Sequence, residues 1–263
     1  MINNYHTHTF LCDGKHKAEE YVLEALKLGC EEIGFSGHSY APWDSSCLGM
    51  NEEKLEQYKE AIELCRNRYR DIKIYRGIEL DYYSNISISD FDYVIGAVHY
   101  VKKGEDFIPV DYSVEALLNG VKKHYNGDIY AYIKDYYDLV SKLYNQTKCN
   151  IVAHVDLITK LNKNQALFNE SGSIYRNLAK NSVETLLKTP CVFEVNTGGM
   201  QRGYKDSFYP DSFLLDLIGK SKKPLVLSSD CHDSNYLLFE LENAKQVLEE
   251  KGFSYVKSLK EIL

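Results

Sequence analysis

Ile2-Asn3-Asn4-Tyr5-His6-Thr7-His8-Thr9 opens the chain, and Pro224-Leu225-Val226-Leu227-Ser228-Ser229-Asp230-Cys231-His232 comes near its end. The first reads as a strand and the second as a strand running into a turn. Each carries two potential metal ligands at period-2 spacing. A strand alternates its faces, so His6 and His8 point the same way, and Asp230 and His232 repeat that spacing. Neutral imidazole nitrogen is a common ligand of borderline divalent cations. His38, Glu79, His99 and His154 each close another apolar segment. Six of the eight histidines thus stand at or just past an apparent strand end. That pattern points to one metal site assembled from the whole chain.

Outward from these ends, strands are expected at 2–9, 31–36, 73–81, 91–101, 150–154, 192–196, 224–228 and 253–256. Helices are expected at 18–28, 52–70, 112–124, 129–146, 173–188, 210–219 and 237–251. Gly29 ends the first helix, and Asn126-Gly127-Asp128 joins two others. Long loops are expected at 39–51 and 155–172. Strands separated by helices of this length argue for parallel βαβ units. No linker, repeat or low-complexity tract divides the chain, so one domain over 1–263 is expected. The alternation fits a closed barrel or an open doubly wound sheet, of which the closed barrel is the economical reading. In closed parallel barrels chemistry sits on the face where strands end. Every candidate ligand falls at or just beyond the C-terminal end of a strand.

The 263 residues are 44% hydrophobic and 26% charged, with a net charge of -7, ordinary for a soluble globular protein. No Lys/Arg-rich block is present, which argues against nucleic-acid or anionic-membrane partners. The seven cysteines are scattered and form no C-x-x-C pair, which argues against a thiolate zinc knuckle or a redox pair. Free thiols without a signal-like apolar stretch fit a cytoplasmic setting. Nothing approaches 18 consecutive apolar residues, so no membrane span is expected.

Glu79 lies inside Tyr75-Arg76-Gly77-Ile78-Glu79-Leu80-Asp81, an apolar strand where an unpaired carboxylate is costly. A carboxylate bridging two cations removes that cost, and Asp81 shares its face. His16 follows Asp13 in the loop after the His6/His8 strand, whereas His124 sits on a helix and reads as solvated. The chain lacks G-x-x-x-x-G-K-[ST], G-x-G-x-x-G and G-x-S-x-G, and no cysteine has an arginine six positions later. Asp90-Phe91-Asp92-Tyr93-Val94 imitates an aspartyl-phosphate motif, but its apolar strand follows the motif where it should precede it.

The ordered set His6-Thr7-His8, Asp13-Gly14, Gly37-His38, Gly77-Ile78-Glu79, Ala97-Val98-His99, Ala153-His154, Glu194-Val195-Asn196 and Ser229-Asp230-Cys231-His232 resembles the PHP (polymerase and histidinol phosphatase) superfamily. The run from His154 to Lys160, and Glu194 through Arg202 to Tyr209-Pro210, look most like the stand-alone histidinol-phosphate phosphatases. The resemblance implies an α/β fold, a distorted (β/α)7 TIM-like barrel with three divalent metal ions (Zn, Mn or Fe) at the C-terminal ends of the strands. It implies His6, His8, Glu79 and Asp230 around the first ion, and Glu79, His99 and His154 around the second. Asp13, His38 and His232 would hold the third, with His16 as an alternative to Asp13. Arg202, Lys160 and Asn196 would bind the substrate, Arg202 without bearing on metal content. The implied activity is hydrolysis of a small phosphorylated metabolite, L-histidinol phosphate, by a metal-bridging hydroxide. The leaving group would take its proton from metal-bound water, His16 or Asp81. The rival readings are a phosphotyrosine or nucleotide phosphatase and a metal-binding module without turnover.

Overall fold

The structure, a computed structural model, describes residues 2–44 and 48–263. Cys47 and the middle of the expected 39–51 loop lie outside the described residues, and the other six cysteines are free thiols. Six parallel strands form one sheet in the order β1 (Glu32–Phe35), β2 (Lys73–Asp81), β3 (Tyr93–Ala97), β6 (Ile151–Val152), β7 (Val192–Asn196) and β8 (Leu225–Ser228). β4 (Tyr100–Lys103) and β5 (Asp106–Pro109) form a separate antiparallel hairpin. The helices between them are α1 (Ala18–Lys27), α2 (Glu52–Arg68), α3 (Val114–Tyr125), α4 (Ile129–Thr147), α5 (Ser173–Leu186), α6 (Gly198–Gln201), α7 (Ser212–Lys220) and α8 (Leu241–Glu250). Among the described residues no helix is long and apolar enough to cross a membrane.

The N-terminal segment joins the two edges of this sheet. Asn4 bridges Ile33 on β1, and Thr7 bridges Cys231 just beyond β8, both in parallel. Gly34 N–H donates to the Asn4 carbonyl, while His8 N–H donates to Cys231 and Cys231 N–H to His6. The barrel therefore has seven staves. The strand expected at 2–9 appears as an extended segment with isolated bridges, because its residues divide their bonds between two neighbours.

Inside the barrel, residue type changes with height. Tyr75, Tyr93, Ile95, Ile151, Val192 and Val226 pack together in one buried cluster, with Val256 and Leu259 of the C-terminal segment. Farther along the same faces, at positions two or four residues on, stand Glu79, Glu194, Asn196 and Ser228. The lower half is thus an apolar core and the upper half a polar cup. A second, larger cluster packs the outer strand faces against the helices.

The strand expected at 91–101 is broken. β3 stops at Ala97, Tyr82 N–H donates to the Ala97 carbonyl, and Asp81 accepts the His99 N–H at 3.0 Å. Those bonds turn the chain, and Gly104 at φ 62° makes the hairpin that follows. The expected 155–172 loop contains two short 3-10 turns, Leu157–Thr159 and Lys163–Gln165. The carboxylates of the decoy motif meet cations away from the cup: Asp90 binds Lys59 at 2.8 Å, and Asp92 binds Arg66.

Candidate metal centre

Every stave of the barrel except β7 delivers one or two donors to the cup at or just beyond its end. His6 Nε2 lies 3.3 Å from Glu79 Oε2 and 3.6 Å from Asp230 Oδ1. His8 Nε2 lies 3.5 Å and 3.2 Å from the same two atoms. Bonds of about 2.0–2.2 Å to one tetrahedral cation place neighbouring ligand atoms roughly 3.3–3.6 Å apart. His6 Nε2, His8 Nε2 and Glu79 Oε2 are buried and make no aligned hydrogen bond. Orphaned buried donors and acceptors are rare, and a cation accounts for all three.

Two further groups adjoin this one. Glu79 Oε1 lies 3.4 Å from His99 Nε2 and 3.1 Å from His154 Nε2. Asp13 Oδ2 lies 3.5 Å from His38 Nε2 and 3.1 Å from His232 Nε2. The groups overlap more than the sequence implied. His8 also joins Asp13, His38 and His232, and His38 joins Glu79 and His99, with the ligand atoms of each group within 4.8 Å of one another. His38 Nδ1 is only 2.8 Å from Glu79 Oε2.

The electrostatics match a place for cations. Burial opposes charge on His6, yet Glu194, Asp230 and Glu79 outweigh it and push its pKa up to about 10. His99 likewise rises to about 10 against burial, through Glu79 and Asp81. Burial opposes ionisation of Glu79 and Asp230 too. The imidazoles facing Glu79, and Arg202 with His6 facing Asp230, nonetheless hold both well below the usual carboxylate range. His232 is lowered by burial and by His8, whose ring stacks on it at 3.9 Å. A cluster that gathers protons this strongly when metal-free is one that a divalent cation can neutralise.

Around the donors stands a shell of partners. Glu194, quoted in the sequence motifs but given no role there, binds the His6 Nδ1–H at 2.9 Å. Its strand position was a signal: like Glu79, it is a carboxylate inside an apolar run. Cys12 Sγ lies 3.6 Å from His8 Nδ1. Asp81 lines the cavity, but its oxygens accept the His99 and Tyr83 N–H groups. It therefore orients His99.

The cup opens into a cavity of about 300 Å³ whose walls include Arg202, Lys160, Asp111, Tyr112 and Tyr204. Arg202 Nη2 donates to Asp230 Oδ2 at 2.7 Å, and Nη1 to the Asp230 carbonyl at 3.1 Å. Lys160 donates to Asp111 at 2.7 Å and lies 4.9 Å over the Tyr204 ring. Asp111 was not foreseen, since nothing in its local sequence marks it.

Two residues named from sequence fall elsewhere. His16 does not line the cavity; its Nδ1 accepts the Ser234 N–H at 3.2 Å. The turn at residues 10–14 brings Asp13 to the cluster and carries His16 past it. Asn196 stands in the cup but is fully buried. Its amide donates to Glu194, and its carbonyl oxygen accepts the Gly198 N–H. It has no face to offer a substrate.

A parallel barrel with a buried histidine–carboxylate cluster at its C-terminal mouth, flanked by an arginine and a lysine, defines a metal-site barrel built for an anionic ligand. The PHP domain family model matches residues 4–198, and the chain belongs to that family. A probable histidinol-phosphatase of Schizosaccharomyces pombe is 26% identical over 279 residues, covering 97% of this chain and 87% of the relative. The histidinol-phosphatase of Bacillus subtilis is 27% identical over 254 residues, covering 87% and 92%. Among solved structures, a putative histidinol phosphatase from Listeria monocytogenes superposes with TM-score 0.79 at 20% identity, covering 92% of this chain and 99% of that one. Histidinol phosphate phosphatase from Lactococcus lactis, complexed with zinc, L-histidinol and phosphate, gives TM-score 0.74 at 22% identity, covering 97% and 95%. These likenesses confirm the distorted TIM-like barrel.

Proposed function

We propose that the protein is a metal-dependent phosphomonoesterase that hydrolyses L-histidinol phosphate to L-histidinol and phosphate, a step of histidine biosynthesis. The observation that carries this reading is the set of orphaned buried donors, His6 Nε2, His8 Nε2 and Glu79 Oε2, directly below the Arg202 and Lys160 wall of the cavity. The relatives named above as histidinol-phosphatases, and the zinc, histidinol and phosphate in the Lactococcus structure, support the choice of substrate. Residues 1–263 act as one domain, a reading supported by Asp230, beside His6 and His8, and His232, beside Asp13, which join the donor set from beyond the matched residues 4–198.

The donors suffice for three divalent ions, Zn, Mn or Fe. His6, His8, Glu79 and Asp230 would hold the first, Glu79 with His99 and His154 the second, and Asp13, His38 and His232 the third. Such ions, when bound, supply water acidified to near neutrality and Lewis acidity toward phosphate oxygens. Arg202 keeps a guanidinium beside the cluster to offset charge on the non-bridging oxygens. Lys160 offers a second positive charge, which the substrate shares with Asp111. The setting is the cytoplasm and the partner a small phosphorylated metabolite.

The test is a substrate panel of histidinol phosphate, phosphotyrosine, nucleotides and p-nitrophenyl phosphate, run after loading with Zn, Mn or Fe. Preference for histidinol phosphate in kcat/KM by about tenfold or more, or at least 1.4 kcal/mol, is expected. Equal rates on all four esters, or a preference for phosphotyrosine, would displace the substrate assignment. Absence of turnover on every ester would leave only a metal-binding module.

A further inference from the structure

We infer that Glu194 is a positioning residue that sets the metal affinity of this centre by holding His6 in its ligating tautomer and tying it to His154. The inference rests on the reading of the cluster as a metal centre. Glu194 is 2% exposed and takes four donors on two oxygens. Oε2 receives His6 Nδ1–H at 2.9 Å and Ser228 Oγ–H at 2.6 Å. Oε1 receives the His154 backbone N–H at 2.6 Å and Asn196 Nδ2 at 2.7 Å. A carboxylate only accepts, so His6 Nδ1 must carry the proton. In the neutral ring that a cation takes, the lone pair then stands on Nε2, the atom that faces Glu79 and Asp230 without a hydrogen-bond partner.

One side chain on β7 thereby fixes ligands of two neighbouring groups, His6 through its ring and His154 through its backbone. Partners in this position raise ligand basicity and fix ring orientation, and their loss typically weakens metal binding about 10–100-fold.

Glu194→Gln keeps the shape and removes one acceptor. The His154 N–H belongs to the backbone and cannot turn away, so the glutamine carbonyl must face it. The glutamine NH2 then meets His6 Nδ1, which is driven to accept, and the ring proton moves to Nε2, where it opposes a cation.

The experiment uses zinc-loaded full-length protein. Zinc affinity is measured by chelator competition, and the His6 Nδ1–H is followed by proton–nitrogen NMR. Wild type is expected to show a downfield, exchange-protected Nδ1–H. Glu194→Gln, with unchanged circular dichroism, is expected to bind zinc about 10–100-fold more weakly and to lose that resonance. Ser228→Ala, which removes a donor but leaves the His6 contact, is expected to stay within about twofold of wild-type affinity. Should Glu194→Gln fail to fold, the wild-type resonance and Ser228→Ala decide. A missing Nδ1–H in wild type, wild-type affinity in Glu194→Gln, or an equal loss in Ser228→Ala overturns the positioning role alone. Wild-type protein that takes up no zinc overturns the metal centre as well.

Discussion

Glu79 is 1% exposed, with Oε1 toward His99 and His154 and Oε2 toward His6, His8 and His38. Asp13 serves His8, His38 and His232 from the rim, where its side chain is 19% exposed. Glu79→Gln should therefore cost more than Asp13→Asn. Breaking a buried charge pair costs about 3–5 kcal/mol, more than a hundredfold in affinity, while water softens the loss at the rim. Metal content and turnover of the two purified variants check this, and equal small losses would remove Glu79 from the centre of the donor set. For Arg202 the structure changes the expectation. The sequence placed it on the phosphate with no bearing on metal content, but its guanidinium grips Asp230 at two atoms and lies 3.0 Å from His232 Nδ1. Arg202→Ala should lower kcat/KM about ten- to a hundredfold, the worth of a charge-assisted contact of about 1.5–3 kcal/mol, and also speed loss of metal to a chelator. Arg202→Lys should recover only part of this, because an ammonium lacks the fork. If Arg202→Ala keeps its metal and stays within about twofold of wild-type kinetics, the residue lies outside the chemistry.

At the scale of elements, one tyrosine braces the closure of the barrel. Tyr93 on β3 donates its hydroxyl to the carbonyls of Tyr5 and Phe35, linking the N-terminal segment and β1 across the barrel floor. Its ring fits because two neighbours are glycine. A Cβ on Gly34 would stand 2.4 Å from the Tyr93 hydroxyl, and one on Gly77 would stand 2.4 Å from its Cζ. Gly34→Ala should destabilise the fold by about 1–3 kcal/mol through overpacking. Tyr93→Phe removes the hydroxyl that the new methyl strikes, so the double variant should lose less than the sum of the singles. Denaturant unfolding of the four proteins measures that coupling, and strict additivity would show that the methyl is accommodated elsewhere. The same region shows what the sequence could and could not tell. β2 appears where its apolar run put it, because both its neighbours lie in the same sheet. The hairpin after Ala97 was read as more strand because Tyr100 and Val101 continue the apolar run. The break depends on the Asp81 carboxylate taking the His99 N–H, a contact between residues 18 positions apart. His16 and Asn196 were misplaced for a related reason: spacing reports the face of a strand, not the path of a turn or the depth of a strand position. The ligands gathered at the mouth were legible because each sits where periodicity ends. Glu194 could have been found by the argument applied to Glu79, whereas the Lys160–Asp111 pair could not.

For the whole molecule, the cluster makes stability depend on pH and on metal together. His6 and His99 have pKa values pushed up to about 10 in the metal-free fold, against about 6.5 in an unfolded chain. A raised value means that the folded state holds protons the unfolded state has released. Their stabilisation is thus complete below about pH 6.5 and is lost as pH climbs toward about 10. Asp13, Glu79 and Asp230 are held well below the usual carboxylate range. Their contribution is present above about pH 4 and disappears as pH falls through their folded values. Metal-free protein should therefore be most stable between about pH 4.5 and 6.5 and should weaken steadily above that window. A bound cation takes the place of the histidine protons, so metal uptake releases protons and tightens as pH rises. Ligand binding adds stability in proportion to its affinity. The gap in Tm between metal-loaded and chelator-treated protein should accordingly widen from pH 6 to pH 9, chiefly because the chelated form falls. Thermal unfolding followed by circular dichroism at several pH values, with and without chelator, measures that gap. A chelated protein whose Tm stays flat from pH 6 to pH 9 would mean that His6 and His99 do not hold the protons the cluster assigns them, and that the carboxylates around them are neutralised by other means.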